Sequence, residues 1–255
     1  MCLVVFALKL HPDFPLVVLG NRDEYYARPT APAQPFADAP EVFGGRDLEK
    51  GGTWLAVSAA GRFAAVTNFR SPLGRRSGLS RGALVRAALQ PHPDPAAWLQ
   101  QLDRPLYPSF NLLLGDRREV LYTSDASDAV LRLRSGIHGL SNGRLDEPWP
   151  KVRRACARLE QLLSAPELDM EAAFSILADR ATAPDAELPD TGVPLDLERA
   201  LSAAFIAMPG YGTRASTVVL AHRDGRWRFA ERTFGETGLL AGATDVWLPP
   251  GGGTP

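Results

Sequence analysis

The sequence predicts an α+β fold in which stacked β-sheets are covered by helices. Strand patterns come first, a block of helices follows between residues 150 and 205, and further strands come after it. The first strand is apolar on both faces, which is typical of a sheet covered on both sides. No repeat and no evident linker divides the chain. We therefore expect one domain over residues 1–250, followed by a flexible tail over 251–255.

The elements follow from hydrophobic periodicity and from turn residues. Two runs rich in β-branched residues, 2–8 and 15–20, are joined by His11-Pro12-Asp13 and predict a hairpin. Residues 28–43 contain four prolines and are expected to form a surface coil. Further strands are predicted over 53–58, 63–68, 110–115, 120–123, 130–133, 137–142, 216–221 and 227–234. Helices are predicted over 81–90, 95–102, 150–164, 170–177 and 195–205, with a loop or lid over 181–194.

Cys2, at the start of the first hairpin, is the main candidate for a functional residue. The hairpin returns the chain towards its start, so residues 21–24 (Asn-Arg-Asp-Glu) are expected close to the thiol. Because Cys2 is small, we expect removal of the start methionine, which leaves an α-amine able to accept the thiol proton near neutral pH. Arg22 would favour the thiolate, and a carboxylate would hold the amine. The alternative is a buried, inert cysteine.

An arginine-rich segment and one histidine are further binding candidates. Five arginines and three glycines lie between residues 70 and 86. Arg70, Arg75 and Arg76 could form a cradle for phosphates or carboxylates, and a solvated loop is the alternative. His138 shares a strand face with Asn142 and could be a haem ligand or a proton carrier, although most single histidines are neither.

Five stretches of the chain resemble the NRDE family, which is named for residues 21–24. They are Met1-Cys2 with Gly20 to Glu24, Gly51-Gly52-Thr53-Trp54, Thr67-Asn68-Phe69-Arg70, His138-Gly139-Leu140-Ser141-Asn142 and Tyr211-Gly212-Thr213-Arg214. The animal members of this family are called transport and Golgi organisation proteins. The resemblance covers nearly the whole chain and implies a role in haem trafficking or in acyl-coenzyme A or lipid metabolism.

A more distant similarity links the chain to choloylglycine hydrolases and related N-terminal-nucleophile amidases. In those enzymes a cysteine attacks an amide, an aspartate holds its α-amine, asparagines donate to the oxyanion or orient the amine, and a late arginine supports the nucleophile. The similarity implies an αββα sandwich of mainly antiparallel sheets. It also implies catalytic roles for Cys2, Arg22, Asp23, Asn68, Asn142 and Arg214. The amidases read Gly-Arg-Asn-x-Asp where this chain reads Gly-Asn-Arg-Asp-Glu, so either Asp23 or Glu24 could face Cys2.

Composition limits the classes of function. With 255 residues, a net charge of −1 and a pI of about 6.4, the chain has no basic excess for nucleic acid. Its two cysteines make no disulfide framework. The first apolar run is too short for a signal peptide or a membrane span, so we expect a soluble protein of the cytoplasm. No Walker, CxxC, HExxH or c-type haem motif is present, and no metal ligand is predicted.

Two hypotheses of function remain open. In the first, Cys2 is a nucleophile that acts on an amide or a thioester. In the second, the protein carries haem or an acyl-coenzyme A without chemistry. The partner is a small molecule in both cases, no cofactor is required, and haem is possible as a bound ligand. The predicted binding residues are Asn21, Glu24, Arg70, Arg75, Arg76 and His138. The sequence does not predict the oligomeric state.

Overall fold

A computed structural model describes residues 2–70 and 77–250, which form two antiparallel β-sheets and five α-helices. The strands are β1 (Cys2–Leu8), β2 (Leu16–Tyr25), β3 (Thr30–Phe36), β4 (Ala39–Asp47), β5 (Leu55–Ser58), β6 (Arg62–Asn68), β7 (Phe110–Gly115), β8 (Val120–Ser124), β9 (Ser127–Arg132), β10 (Gly136–Leu140), β11 (Ala207–Met208), β12 (Tyr211–Ala221), β13 (Trp227–Phe234) and β14 (Leu240–Leu248). The helices are α1 (Arg81–Leu89), α2 (Pro95–Gln100), α3 (Pro150–Leu163), α4 (Met170–Leu177) and α5 (Leu195–Leu201).

Each sheet of the described chain has seven strands. In the first, the order is β10-β1-β2-β12-β13-β14, and β11 pairs with β12. In the second, the strands β3 to β9 follow one another in sequence order. The first sheet therefore brings the start of the chain between strands from its middle and its end.

Three apolar clusters define the layers. One lies between the sheets and contains Val4 and Phe6 of β1 with Phe63 of β6. A second packs the opposite face of β1 against α3 and α4, and a third packs the second sheet against α1 and α2. Strand β1 contributes to the first two clusters, because successive side chains of a strand point to opposite sides of the sheet. This confirms the stacked sheets covered by helices that the sequence pattern predicts, and it is the αββα arrangement that the similarity to the amidases implies.

The first hairpin is confirmed, but its second strand is longer than predicted. The sequence ends that strand at residue 20, whereas β2 continues to Tyr25 and includes the tetrapeptide 21–24. Asn21, Arg22 and Asp23 are buried inside the sandwich. The prediction that these residues follow the end of the strand is therefore wrong, since their polar groups find partners within the layers on both sides of the sheet.

The predicted surface coil at residues 28–43 is also wrong. This segment forms β3 and most of β4. Its prolines are compatible with a strand because β3 is the edge strand of its sheet, where no further ladder bond is needed. The register of β3 is irregular between Ala31 and Gln34, next to Pro32. Strands β11 and β14 were not predicted, and α5 ends at Leu201 rather than near residue 205.

The second hairpin and the other four helices lie close to where the sequence predicts them. None of the described helices is long and apolar enough to cross a membrane.

Candidate active site

The register of the first sheet places Cys2 between Arg22 and Asn142. Cys2 pairs directly with Arg22 on β2. On the other side of β1, Val4 pairs with Leu140, so Asn142 follows β10 at the position level with Cys2. The Ser141 hydroxyl donates a hydrogen bond to the Cys2 carbonyl oxygen at 3.0 Å. Cys2 itself is half-buried, so its thiol is held at the sheet end without being sealed from solvent.

Arg22 lies between the two sheets and is only 5% exposed. Its guanidinium lies 4.5 Å from the centre of the Trp54 ring and donates to the Thr30 hydroxyl at 2.9 Å and to Asp47 at 3.4 Å. Burial lowers the pKa of Arg22, and the negative charges of nearby groups, Cys2 among them, oppose this decrease. A Cys2 thiolate is therefore electrostatically coupled to a buried cation whose position is fixed from three sides.

Asp23 and Glu24 lie on opposite faces of β2. Glu24 shares the inter-sheet face with Arg22 and lies 3.9 Å from its guanidinium. Asp23 faces the helical layer, is 3% exposed and accepts a hydrogen bond from the Thr213 hydroxyl at 2.7 Å. Burial raises the pKa of Asp23, while the positive charge of Lys151 opposes this increase. The Glu24 and Cys2 side chains therefore lie on the same face of the first sheet. The buried Asp23 carboxyl lies on the opposite face, towards the helices.

Asn68 and Asn142 connect the ends of the two sheets. The Asn142 side-chain amide donates to the Asn68 carbonyl oxygen at 2.8 Å, and the Arg70 backbone N–H donates to the Asn142 carbonyl oxygen at 2.7 Å. The Thr67 hydroxyl adds a third link, to the Ser141 carbonyl oxygen at 2.7 Å. Within the described residues the half-buried Asn68 side-chain amide has no hydrogen-bond partner, so it is available to a ligand at this end of β1.

An open groove of about 700 Å³ begins directly after the two asparagines. Its walls are Phe69, Arg70, Gly143, Arg144, Leu145, Asp146, Glu147, Trp149, Pro189, Asp190 and Thr191. Arg70 lies 5.4 Å from the Trp149 ring and forms an ion pair with Glu198 of α5 at 2.7 Å. The predicted lid, residues 181–194, contributes the last three wall residues. The groove therefore combines aromatic surface with charges of both signs.

Lys151 is a buried cation that the sequence analysis missed. It is 1% exposed and lies in the first turn of α3, which packs against β1 and β10. Burial lowers the pKa of Lys151, and the nearby charge of Asp23 opposes this decrease more than any other group does. Its position offered one signal, because residues 151, 155 and 159 fall on one stripe of the helix and the other two are apolar.

Asn21, predicted to bind substrate, is instead a structural link. Its amide nitrogen donates to the carbonyl oxygens of Leu177 and Ala204, both at 2.8 Å, and its amide oxygen accepts from the Ser216 hydroxyl at 2.6 Å. All three contacts lie on the helical side of the sheet. The prediction is corrected because the side chain is fully engaged in joining β2 to the helical layer.

Arg214 holds the backbone after β2, and among the described residues it forms no ion pair with a carboxylate. It is the bulged residue between Thr213 and Ala215. Its guanidinium donates to the carbonyl oxygens of Tyr25, Tyr26 and Arg28 at 3.0–3.1 Å. Its support of the site is therefore indirect, through the turn that ends β2.

His138 lies away from Cys2, and both of its ring nitrogens are engaged. It pairs with Phe6, four residues along β1 from Cys2, or about 13 Å at the usual strand rise. Nδ1 bonds to Asp146 at 2.8 Å and Nε2 to the Arg134 carbonyl oxygen at 3.0 Å. The Asp146 bond raises the pKa of His138. A ligand role for His138 stays a prediction, and it would require one of these two hydrogen bonds to break.

The predicted binding residues Arg75 and Arg76 lie outside the described residues. Among the residues that the structure describes, no group of three or more His, Cys, Asp or Glu side chains is arranged to hold a metal ion.

The family profile described as Transport and Golgi organisation 2 matches residues 1–236. The chain belongs to this family. It is 32% identical over 259 residues to the Transport and Golgi organization protein 2 homolog of Bos taurus, with 91% of this chain and 93% of the relative covered. The human homolog is 30% identical with the same coverage.

This Transport and Golgi organisation 2 family member has an αββα sandwich fold like that of N-terminal-nucleophile hydrolases. A solved structure of the C2A mutant of the conjugated bile acid hydrolase from Clostridium perfringens matches with a TM-score of 0.54 at 9% identity. The match covers 96% of this chain and 92% of the hydrolase. At this identity the similarity concerns the fold alone.

Proposed function

We propose that the protein is an N-terminal-nucleophile hydrolase in which the Cys2 thiol cleaves an amide or a thioester. The observation that carries the proposal is the pairing of Cys2 with Arg22 at the end of the first hairpin. A half-buried thiol next to a fixed guanidinium combines access for a substrate with a charge that favours the thiolate. The bile acid hydrolase of the same fold was solved as its C2A mutant, so its own cysteine occupies the same chain position.

In the proposed reaction, removal of Met1 leaves the Cys2 α-amine as the general base. The amine takes the thiol proton, and the sulfur attacks the carbonyl carbon of the substrate. The bond from that carbon to nitrogen or sulfur breaks, and the amine returns the proton to the leaving group. Water then attacks the thioester on Cys2, which releases the carboxylic acid and restores the thiol.

The surrounding residues take roles that match their positions. The Asn68 amide donates to the oxyanion, and Asn142 holds the backbone of Asn68 in place. The buried Asp23 carboxylate holds the α-amine. Arg214 acts at a distance by fixing the turn after β2.

Intact-mass spectrometry with a panel of amides and acyl thioesters tests the proposal. The mature protein is expected to lack Met1 and to gain the mass of one acyl group on Cys2. Cys2→Ala is expected to abolish the acyl adduct, while the matched variant Cys156→Ala keeps it. Retention of Met1, or an adduct that persists in Cys2→Ala, would contradict the proposed nucleophile.

A carrier of acyl-coenzyme A is the second proposed function. The groove favours it, because a cleft of about 700 Å³ with Phe69, Trp149 and Arg144 in its walls has the size and lining of many small-molecule sites. A carrier of haem would need an axial donor to the iron. Because both ring nitrogens of His138 are hydrogen-bonded within the protein, that donor would be another residue, or one of these bonds would have to break. Acyl-coenzyme A that binds equally to wild type and Cys2→Ser, without an adduct in either, would favour the carrier over the hydrolase.

A further inference from the structure

Both ring nitrogens of His138 face oxygen acceptors. Nδ1 lies 2.8 Å from the Asp146 carboxylate, and Nε2 lies 3.0 Å from the Arg134 carbonyl oxygen, which can only accept a hydrogen bond. A neutral imidazole carries one N–H group and can donate to one of these oxygens, whereas an imidazolium donates to both. The two contacts therefore fit the charged form of the ring, because the neutral form would leave a nitrogen lone pair facing an acceptor.

Asp146 is the charged group that acts on this ring. Its hydrogen bond raises the pKa of His138, burial opposes the increase, and the bond to the Arg134 carbonyl oxygen adds to it. From β1, the Phe6 ring stacks on the imidazole with 5.2 Å between the ring centres. From α3, the Cys156 thiol lies against the other face of β10, and burial raises its pKa to about 11, so the thiol is neutral at neutral pH. The charge of His138 therefore depends on Asp146 more than on any other residue.

Asp146 has a backbone conformation that residues other than glycine rarely adopt. Its φ is +60°, in the left-handed region. Three hydrogen bonds tie it to β10. The Asp146 N–H donates to the Gly139 carbonyl oxygen at 2.7 Å, and its carboxylate accepts from the Gly139 N–H and from His138 Nδ1, both at 2.8 Å. A residue stays in such a conformation only where its surroundings hold it, and here His138 is one of the two residues that do so.

The loop that contains Asp146 is a wall of the groove. Residues 143–147 supply five of its eleven lining residues, and they begin directly after the second asparagine of the candidate site. Inside the loop, the Arg144 N–H donates to the Glu147 carboxylate at 2.7 Å, and the Trp149 N–H donates to the Glu147 carbonyl oxygen at 2.8 Å. A change at Asp146 therefore reaches the aromatic surface of the groove through consecutive hydrogen-bonded residues.

We propose that His138 is a positioning residue of the groove, because its imidazolium holds Asp146, and with it the wall formed by residues 143–147, in the shape that receives a ligand. Loss of one proton breaks one of the two hydrogen bonds and removes the charge that balances the Asp146 carboxylate. The wall is then held less firmly and the groove becomes more negative. Both effects weaken the binding of an anionic ligand when His138 deprotonates. This effect on binding rests on the proposed use of the groove as a ligand site, whereas the coupling of His138 to the wall does not.

Nitrogen-15 NMR of the histidine rings tests the protonation state. The chain has four histidines, and His138→Gln identifies the signals of this one. At pH 6.5, where an isolated histidine is half protonated, His138 should still be mostly imidazolium, with a proton on each nitrogen. Asp146→Asn suits the same left-handed backbone but has no charge, so the His138 midpoint should fall. A ring with one proton at pH 6.5, or a midpoint that is unchanged in Asp146→Asn, would overturn the proposal.

Fluorine-19 NMR of protein labelled with 5-fluorotryptophan tests the coupling to the wall. Trp149→Phe identifies the Trp149 signal, which should move with pH at the midpoint of His138. In Asp146→Asn this signal should follow the His138 midpoint to lower pH, and in His138→Gln the transition should disappear. His222→Gln is the control, because His222 makes a similar contact with Asp224 at 2.8 Å outside the groove walls, and the Trp149 titration should not change. If the wild-type Trp149 signal does not titrate with His138, the positioning role is excluded.

Titration calorimetry with octanoyl-coenzyme A tests the effect on binding, with Cys2→Ala as the background so that no acylation occurs. The affinity should fall by about three- to fivefold as His138 deprotonates, beyond any change in Cys2→Ala with His138→Gln. An equal pH dependence in the two proteins would mean that His138 does not act on the ligand. If octanoyl-coenzyme A does not bind at any pH, the proposed carrier fails, while the two NMR measurements still decide the positioning role.

Discussion

Glu231 offers a stability measurement whose size follows from the structure. This carboxyl lies between the sheets and is 1% exposed. It accepts hydrogen bonds from the Ala33 N–H at 2.7 Å and from the Thr217 hydroxyl at 3.2 Å. Burial raises the pKa of Glu231 to about 7, and these hydrogen bonds and Arg22 oppose the increase. Glu231→Gln keeps the shape and an acceptor for Ala33 but cannot ionise.

The sign of the effect follows from where the folded state binds its proton. Between an ordinary value of 4.5 and about 7, the folded protein retains a proton that the unfolded chain has released. The contribution of the Glu231 carboxyl to stability is therefore fully present below pH 4.5 and is lost as the pH rises through 7. One pKa unit is worth about 1.4 kcal/mol, so ionised Glu231 costs the folded state about 3 kcal/mol at pH 8.

Urea unfolding followed by tryptophan fluorescence measures the effect as a difference between variant and wild type. The free energy of unfolding of Glu231→Gln should exceed that of wild type by less than about 1 kcal/mol at pH 5 and by about 3 kcal/mol at pH 8. The difference cancels other groups, including His138, whose raised pKa gives a loss of stability in the same direction. Glu160→Gln, on the exposed face of α3, is the control. A difference that stays constant from pH 5 to pH 8 would refute the reasoning.

Three further perturbations follow from the same contacts. Burial raises the pKa of Cys156 to about 11, so iodoacetamide at pH 7.5 should label Cys2 at least about ten times faster, and equal labelling by mass spectrometry would contradict this. Arg22→Ala should lower the unfolding free energy by about 2–3 kcal/mol, because it removes a buried side chain that packs on the Trp54 ring and donates to the Thr30 hydroxyl, while Asp47 keeps its ion pair with Arg28; a loss below about 0.5 kcal/mol would mean a surface role. A Cβ at Gly45 would lie 2.2 Å from the Trp54 ring, so Gly45→Ala should cost about 1–3 kcal/mol in the same assay. A neutral result there would mean that the indole can move away without loss.

The fold was largely predictable because local pattern and tertiary structure agree over most of the chain. Strands β1 and β6 and helix α3 could be predicted from their own apolar patterns, without knowledge of the elements that they contact. The segment 28–43 failed because its prolines are acceptable only on an edge strand, and edge position is decided by the rest of the sheet. The prolines argue against a central strand, but local sequence does not decide between an edge strand and a surface coil.

The residues of the candidate site were easier to predict from the sequence than their arrangement in space. Cys2 and Arg22 were expected together, and the register of the hairpin brings them together. Lys151 was missed because a lysine at the start of a helix is ordinarily solvated, and its burial depends on α3 lying over β1. The Asp146 partner of His138 was not predicted for a related reason, since Asp146 lies in a loop whose course the sequence does not reveal.

The tetrapeptide of β2 explains why fold and site are difficult to separate in this protein. Asn21 and Asp23 point to the helical layer, whereas Arg22 and Glu24 point between the sheets. One short strand segment therefore places polar groups in two interior layers, and each group needs a partner there because an unpaired buried polar group is destabilising. Truncation of such a residue removes a structural contact along with any chemical role. Variants that keep shape and hydrogen bonding but change charge, as Glu231→Gln does, are the ones that can separate the two roles here.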